Sequence, residues 1–443
     1  MKKIVIPFLL LICSISLNAQ TKQWTLQECV NHALENNISV KQSQLDLEFT
    51  EADKLQAIGN FLPSLNANAS ASKNTGLSLN PTTNQLENTT LGSASGAINV
   101  GYTLFDGLRN VRQLQRAKLS ELAAQYRLDK MKDDIALAVA NSYLQVLLNK
   151  ANLEVIKSQN EVTLQQLQRT NDLVDAGVLP RGDLLEIKAT DAGEKQRIAI
   201  SENNVKISLI SLAQLLLIKD YSSFDIAEEE YNIIDGGIAN KDVSEIIKSA
   251  KETRSEVKIA QKNVELAEKD LQISRGSYYP TLSAFFGYNT RYADNDPLER
   301  DFVEQLYLND GIGYGLQLNI PIFNGFAARS GVMRSKVNLK NTEYQLEQAQ
   351  LDLESNVYQA YVDANGALKA YEAATVAMES QELAYQYAKD RYDVGLTNAF
   401  DFSQSKLRYD NAKIEENRTK FEYIFKLKVL ELYFGVPASE LKF

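Results

Sequence analysis

The sequence is written twice, and this duplication constrains the fold more than any other feature. At an offset of 217 positions, Asn60–Ala67 aligns with Ser277–Ala284, sharing the proline (Pro63, Pro280), the leucine (Leu65, Leu282) and the alanine (Ala67, Ala284). The same offset pairs Glu28 with Glu245, Val40 with Val257, Glu48 with Glu265, Asp53 with Asp270 and Gly59 with Gly276. Downstream the offset becomes 218: Phe105-Asp106-Gly107 meets Phe323-Asn324-Gly325, Tyr143 meets Tyr361, Gly177 meets Gly395, Asp183 meets Asp401 and Lys188 meets Lys406. A nearly constant offset implies two copies of one unit. The expected organisation is a signal peptide over 1–19, a first repeat over 20–220, an equatorial connector over 221–241 and a second repeat over 242–443. The connector carries Glu228, Glu229 and Glu230 and the pair Gly236-Gly237, and reads as irregular.

The N-terminus sets the compartment. Lys2 and Lys3 precede an apolar run from Ile4 to Leu17, with a plausible cleavage point after Ala19. The run is short for a spanning helix, which needs about 20 apolar residues, although an N-terminal anchor is the competing reading. Cleavage leaves Cys29 as the single cysteine, so no intrachain disulfide forms, and a lone cysteine on a helical apolar stripe reads as a small core residue. The net charge of −10 becomes two units more negative without Lys2 and Lys3, which argues against a nucleic-acid partner. The one histidine, His32, offers no set of convergent metal ligands or catalytic bases, and no cofactor motif stands out. Gly311–Gly315 departs from the dinucleotide fingerprint and lies in a strand pattern. No catalytic constellation emerges, so the chain does not read as an enzyme.

Within each copy the hydrophobic period changes twice. Thr25 with Glu28, and Asp242 with Glu245, read as capping pairs that open helices running to Gly59 and Gly276. After each proline the period becomes that of a strand. Ile312, Tyr314, Leu316, Leu318, Ile320 and Ile322 alternate with small or polar residues, and so do Leu282, Ala284, Phe286 and Tyr288. The first copy repeats this through Leu65, Ala67, Ala69 and Ala71, then Ile98, Val100, Tyr102 and Leu104. Four strands of about 10 residues have the length that crosses an outer membrane when tilted. A soluble antiparallel sheet with one face on a core shares the alternation. The polar links Asn74–Leu91 and Ala293–Asp310 read as exposed loops.

Two proline-free helical patterns follow, Leu108–Val174 and Phe326–Tyr392, each 67 residues and about 100 Å long at 1.5 Å per residue. Leu353, Val357, Ala360, Ala364, Ala367, Tyr371, Ala374 and Met378 form a seam at coiled-coil spacing. Each long helix breaks at 175–182 or 393–398 and returns, roughly over Asp183–Leu217 and Ala399–Tyr433. Gly177 and Gly395 fit left-handed helix-ending positions, and Asp183 and Asp401 fit N-caps. Four strands cannot close a barrel, and an open edge cannot face lipid. Two chains would give eight strands with a filled interior, whereas three give twelve and a lumen. The expected fold class is therefore mainly α with a small transmembrane β part: duplicated antiparallel helical hairpins plus four strands contributing to a trimeric 12-stranded barrel.

The order of elements, the duplication, the segments Trp24–Val30 and Ala33–Asn37, the Phe-Asp/Asn-Gly turns and the Gly-Val or Val-Gly-Leu hairpin tips resemble the TolC-like outer-membrane efflux proteins across essentially the whole mature chain. The resemblance implies a homotrimer in outer-membrane lipid, with a β-barrel continuous with a periplasmic α-barrel. It implies docking onto a periplasmic adaptor (a membrane fusion protein) and an inner-membrane pump of the RND or ABC type. The adaptor is expected at Gly177, Val178, Gly395 and Leu396. A tyrosine-to-aspartate latch is expected at Tyr392 and Asp183, and a constricting acidic position at Asp401. Thr397 replaces an arginine of the best-known member, and Gln404 replaces a second aspartate, which implies fewer latches and a weaker acidic ring. A type I protein-secretion conduit uses the same body. A soluble periplasmic coiled-coil adaptor is the rival from another class, but it would carry a compact β domain not found in this sequence.

Overall fold

The computed structural model describes residues 23–79, 84–228, 241–296 and 298–436. The signal segment and the Gly236-Gly237 part of the connector lie outside these residues. In chain order the elements are β1 (Gln23–Trp24), α1 (Leu26–Asn36), α2 (Ile38–Gly59), β2 (Ser64–Leu79), β3 (Leu86–Phe105), α3 (Arg109–Asp175) and α4 (Arg181–Leu215). They continue as β4 (Asp225–Ile226), α5 (Val243–Thr253), α6 (Ser255–Gly276), β5 (Thr281–Ala293), α7 (Phe302–Leu308), β6 (Gly311–Asn319), α8 (Ala327–Asp393) and α9 (Ala399–Phe434). The duplication is visible in the lengths: α1 and α5 have 11 residues each, α2 and α6 have 22, and α3 and α8 have 67. None of the described helices is long and apolar enough to cross a membrane.

The chain forms two compact units. One comprises residues up to Val40, Lys132–Val243 and Tyr358 onward; the other comprises Lys41–Met131 and Ser244–Val357. In the first, α1 is opened by a complete capping box: Glu28 N donates to Thr25 Oγ1 (3.3 Å) and Thr25 N donates to Glu28 Oε2 (3.0 Å). Its buried stripe, Leu26, Cys29, Val30 and Ala33, packs with Val139, Tyr143 and Leu147 of α3 and Leu212 and Leu216 of α4. The Tyr143 hydroxyl donates to the carbonyls of Ala227 (2.9 Å) and Trp24 (3.3 Å), bracing the short parallel pairing of β1 with β4. His32 lies edge-on to Trp24, with ring centroids 5.1 Å apart. Within the seam anticipated on α8, Leu353, Val357, Ala360, Ala364 and Met378 are all buried.

The opening helix of each copy is interrupted, where one uninterrupted helix was expected. Asn37 has ψ 134°, and its carboxamide accepts from Ser39 N (2.9 Å) while donating to Leu215 O (3.2 Å). That side chain offers the backbone an alternative to helical pairing. Arg254, with ψ 133°, occupies the equivalent break between α5 and α6.

The second unit holds an antiparallel sheet in the order β2-β3-β5-β6. Its register separates the faces as the alternation requires. Leu65, Val100, Phe286 and Tyr314 lie in one row, and Ala67, Ile98, Tyr288 and Ile312 in the next. The opposite face carries small and polar residues, with Ser70 and Ser95 hydroxyls 2.9 Å apart and Asn99 donating to Asn68 (3.3 Å). Phe285, on that polar face, packs where Gly315 leaves room: a Cβ there would sit 3.0 Å from its ring. A register shift between Thr103 and Phe105 brings Phe105 opposite Leu282, so Leu104 does not continue the paired apolar row.

Two expectations for the links are corrected. Strands β2 and β3 run 16 and 20 residues, and their pairing continues to Leu79 and Leu86, so most of Asn74–Leu91 is ladder and not loop. Cross-strand pairs such as Thr75 with Thr90 (3.0 Å) let polar residues extend the hairpin. The link Ala293–Asp310 contains α7, capped by Asp301, which accepts from Glu304 N (2.6 Å).

Candidate functional site

The two hairpin ends in the first unit close with the same backbone turn. At the α3 end, Val178 N donates to Leu173 O (2.8 Å) and Gly177 N to Val174 O (3.0 Å). At the α8 end, Leu396 N donates to Arg391 O (2.8 Å) and Gly395 N to Tyr392 O (3.0 Å). This is the Schellman pattern, which needs a left-handed residue at its corner. Gly177 and Gly395 supply it with φ of 74° and 76°. The turn leaves Val178, Val394 and Leu396 exposed to between 66% and 70%, with no apolar cover in the isolated chain. The four tip positions singled out from the sequence thus form two matched, outward-facing turns.

The aspartates do not cap the returning helices as expected. Pro180 is the N-cap residue of α4 and forms no side-chain cap bond; Asp183 lies in the first turn. Asn398 caps α9 by accepting from Asp401 N (2.8 Å), and Asp401 itself accepts from Thr397 Oγ1 (3.1 Å). Thr397 is the residue that stands where the resemblance implies an arginine. Both aspartates sit three positions after the cap, where a carboxylate still favours the helix dipole.

Tyr392 is buried, and its hydroxyl lies 3.0 Å from Thr170 Oγ1 of α3. Its ring stacks on Phe402, centroids 5.2 Å apart at 19°, within a small core formed with Ile187, Tyr385 and Ala399. At the adjacent positions, Arg169 donates to the carboxylate of Asp393 (2.8 Å) and to its carbonyl (2.9 Å). Among the described residues no hydrogen bond joins Tyr392 to Asp183. Residues Tyr392, Thr170, Arg169 and Asp393 therefore tie the end of α8 to α3, while Asp183 and Asp401 stay on the first turns of α4 and α9.

Deeper in the same unit lies a charge cluster that the sequence pattern did not single out. Lys406 Nζ lies 2.5 Å from Glu194 Oε1 and 3.5 Å from Asp410 Oδ2, and all three side chains are at most 8% exposed. Asn160 donates to Asp191 (3.1 Å) and Glu194 (3.0 Å), and Thr163 donates to Glu194 (3.0 Å). Asp191 also pairs with Lys195 (2.8 Å). Asp410 Oδ1 is buried with no hydrogen-bond partner. Burial pushes the Asp410 carboxyl up to about 6, with Lys406 opposing and Glu194 adding to the rise. The same burial, with Asp410 nearby, raises the Tyr385 hydroxyl to about 12. The available signal was helical spacing: Asp191 and Glu194 continue the buried stripe of Leu184 and Ile187, and Lys406 and Asp410 continue that of Ala399 and Phe402.

Comparisons with known proteins give one consistent result. The family described as outer membrane efflux protein matches residues 29–216 and, separately, 246–434. The outer membrane protein TolC of Vibrio cholerae is 23% identical over 301 residues, which is 67% of this chain and 66% of that relative's length. The proteases secretion protein PrtF of Dickeya chrysanthemi is 22% identical over 323 residues, 70% of this chain and 66% of the relative. The crystal structure of the outer membrane protein VceC from Vibrio cholerae superimposes with a TM-score of 0.76 at 16% identity, covering 93% of this chain and 96% of that one.

Proposed function

This chain belongs to the outer membrane efflux protein family, and on that premise we propose that it is the outer-membrane channel subunit of a tripartite efflux system. It conducts substrates passively from an inner-membrane pump and a periplasmic adaptor across the periplasm and outer membrane. The observation that carries this reading is the four-stranded sheet, which presents apolar rows across all four strands on one face and is bounded by the edge strands β2 and β6. Edges of this kind must be paired before such a face enters lipid. Three copies joined edge to edge close twelve strands, enough for a lumen. The 67-residue helices supply a length of about 100 Å for the periplasmic part.

The hairpin ends carry the working residues in this reading. Gly177, Val178, Gly395 and Leu396 receive the adaptor, an assignment supported by two matched exposed turns that present apolar side chains. Tyr392, Asp183 and Asp401 belong to the periplasmic gate, with Thr170 added as the hydroxyl partner of Tyr392. A second reading, a protein-secretion conduit, is favoured by the likeness to PrtF, a proteases secretion protein. Co-purification from cross-linked membranes separates the two. An adaptor with a proton-driven pump supports efflux; an ATP-driven exporter carrying a protein cargo supports secretion. Purified protein that forms no conducting pores in planar bilayers would refute both.

A further inference from the structure

The short helix between β5 and β6 is inside out for a segment that meets water. Its one buried side chain, Gln305, is polar and 1% exposed, whereas Phe302, Val303, Tyr307 and Leu308 are 50–76% exposed, as is Leu298 before it. A helix on a water-facing loop turns the other way, with its polar side chains outward. Polar groups fasten this one to the sheet. Gln305 Oε1 accepts from Ala293 N (3.0 Å) and its Nε2 donates to Arg300 O (3.0 Å). Thr290 Oγ1 donates to Leu306 O (2.6 Å), and Asn309 Nδ2 donates to Arg291 O (3.1 Å). Arg300 and Asp296 close the preceding loop through contacts of 2.6 and 2.7 Å.

The position of α7 is fixed by which strand residues it touches. Along β5, Leu282, Ala284, Phe286 and Tyr288 occupy the apolar face, and the alternation continues through Thr290 and Tyr292. Thr290 holds Leu306, and the Tyr292 ring lies 5.0 Å from that of Phe302. The helix thus covers the far end of the apolar face and not the serine- and asparagine-rich one. Its exposed apolar side chains directly precede β6 in the chain, which presents Ile312, Tyr314, Leu316 and Leu318 on that face, all exposed.

We propose that α7 is a lipid-seeking element: it rides on the outside of the barrel and seats Phe302, Val303, Tyr307 and Leu308 at the boundary between headgroups and acyl chains of the outer leaflet. This rests on the outer-membrane channel reading above. Tyr292, Phe302 and Tyr307 then form a local aromatic girdle where apolar strand gives way to water, the level at which such residues collect in outer-membrane barrels. The clamps on Gln305, Thr290 and Asn309 hold the apolar side chains outward, so the helix extends the lipid-facing surface beyond the last rows of β6.

The test uses the full-length protein reconstituted in phosphatidylcholine vesicles whose acyl chains carry bromine, a contact quencher of tryptophan. Trp24, the single native tryptophan, supplies the background, which the unsubstituted protein measures. Val303→Trp and, separately, Tyr307→Trp report on α7; Leu316→Trp reports on the apolar face of β6. The expected result is a loss of the added emission at 303 and 307 comparable with that at 316. Quenching at 316 alone, with 303 and 307 reached by aqueous iodide, overturns the proposal and leaves the channel reading intact. Emission at 303 and 307 protected from both quenchers assigns α7 to a protein contact, and also overturns it. Absence of bromine quenching at all three sites overturns the lipid-facing sheet and this proposal together.

Discussion

The hydroxyls of Tyr392 and Thr170 lie 3.0 Å apart in a site where Thr170 is fully buried, and they join the end of α8 to α3. Removing one hydroxyl strands the other, at about 1–3 kcal/mol, whereas removing both is nearly neutral. Tyr392→Phe and Thr170→Val are each expected to raise single-channel conductance in planar bilayers. The double variant is expected to recover stability without recovering closure. Unchanged conductance in both single variants would remove this pair from the gate.

At the tips, Gly395→Ala is expected to destabilise the α8–α9 turn by about 1–2 kcal/mol, because an L-residue is held at a left-handed φ. Space is not the obstacle, since a Cβ at Gly395 meets nothing within 4 Å. Leu396→Asp is expected to behave differently: unchanged thermal stability but weakened recovery of the adaptor in pull-downs. Loss of stability in Leu396→Asp would instead mark the side chain as part of the fold.

Lys406 carries the only positive charge in contact with both Glu194 and Asp410 among the described ion pairs. Lys406→Met leaves buried carboxylates without their counter-charge, and breaking such a pair costs about 3–5 kcal/mol. Thermal unfolding followed by circular dichroism should show this as a lower midpoint at neutral pH, with partial recovery on acidification. A midpoint unchanged from the parent protein would show that the pair contributes nothing net.

Asp410 should give the opposite sign. Its folded carboxyl is raised to about 6 from 3.8, so the folded state holds the proton more tightly than the unfolded chain. The resulting destabilisation is absent below about pH 4, grows as pH rises towards 6 and is complete above it. Asp410→Asn is therefore expected to raise stability at pH 7 by about 1–3 kcal/mol, because each tenfold difference in proton affinity between the folded and unfolded states is worth about 1.4 kcal/mol. The same variant is expected to flatten the stability profile between pH 4 and 6. An unchanged pH profile would show that Asp410 does not titrate in that window.

Much of this architecture is written in local pattern. The offset that pairs Gly177 with Gly395 also sets the matched tip turns, and the proline-free runs delimit α3 and α8 to within one residue at each end. Alternation through Ile312, Tyr314, Leu316 and Leu318 gives the lipid-side row directly. Features set by tertiary contacts were less legible. The break at Asn37 depends on a bond to Leu215, far along the chain. The partner of Tyr392 comes from another helix, as does the Glu194 that meets Lys406. In the second copy, Ala293–Asp310 reads as a polar link, yet it holds a helix and the charged residues Asp296, Arg300, Asp301 and Glu304. Their pairing and capping bonds, with Gln305 turned inward, are visible only in three dimensions.

Closure by three copies is the claim on which the channel reading depends, because the edge strands β2 and β6 belong to a sheet of only four strands. Chemical cross-linking of the purified protein in detergent, resolved as a ladder, measures it directly. A ladder that ends at the trimer is expected, corresponding to twelve strands around a lumen. A ladder that stops at the dimer would contradict it, since eight strands would fill their own interior and leave no conduit.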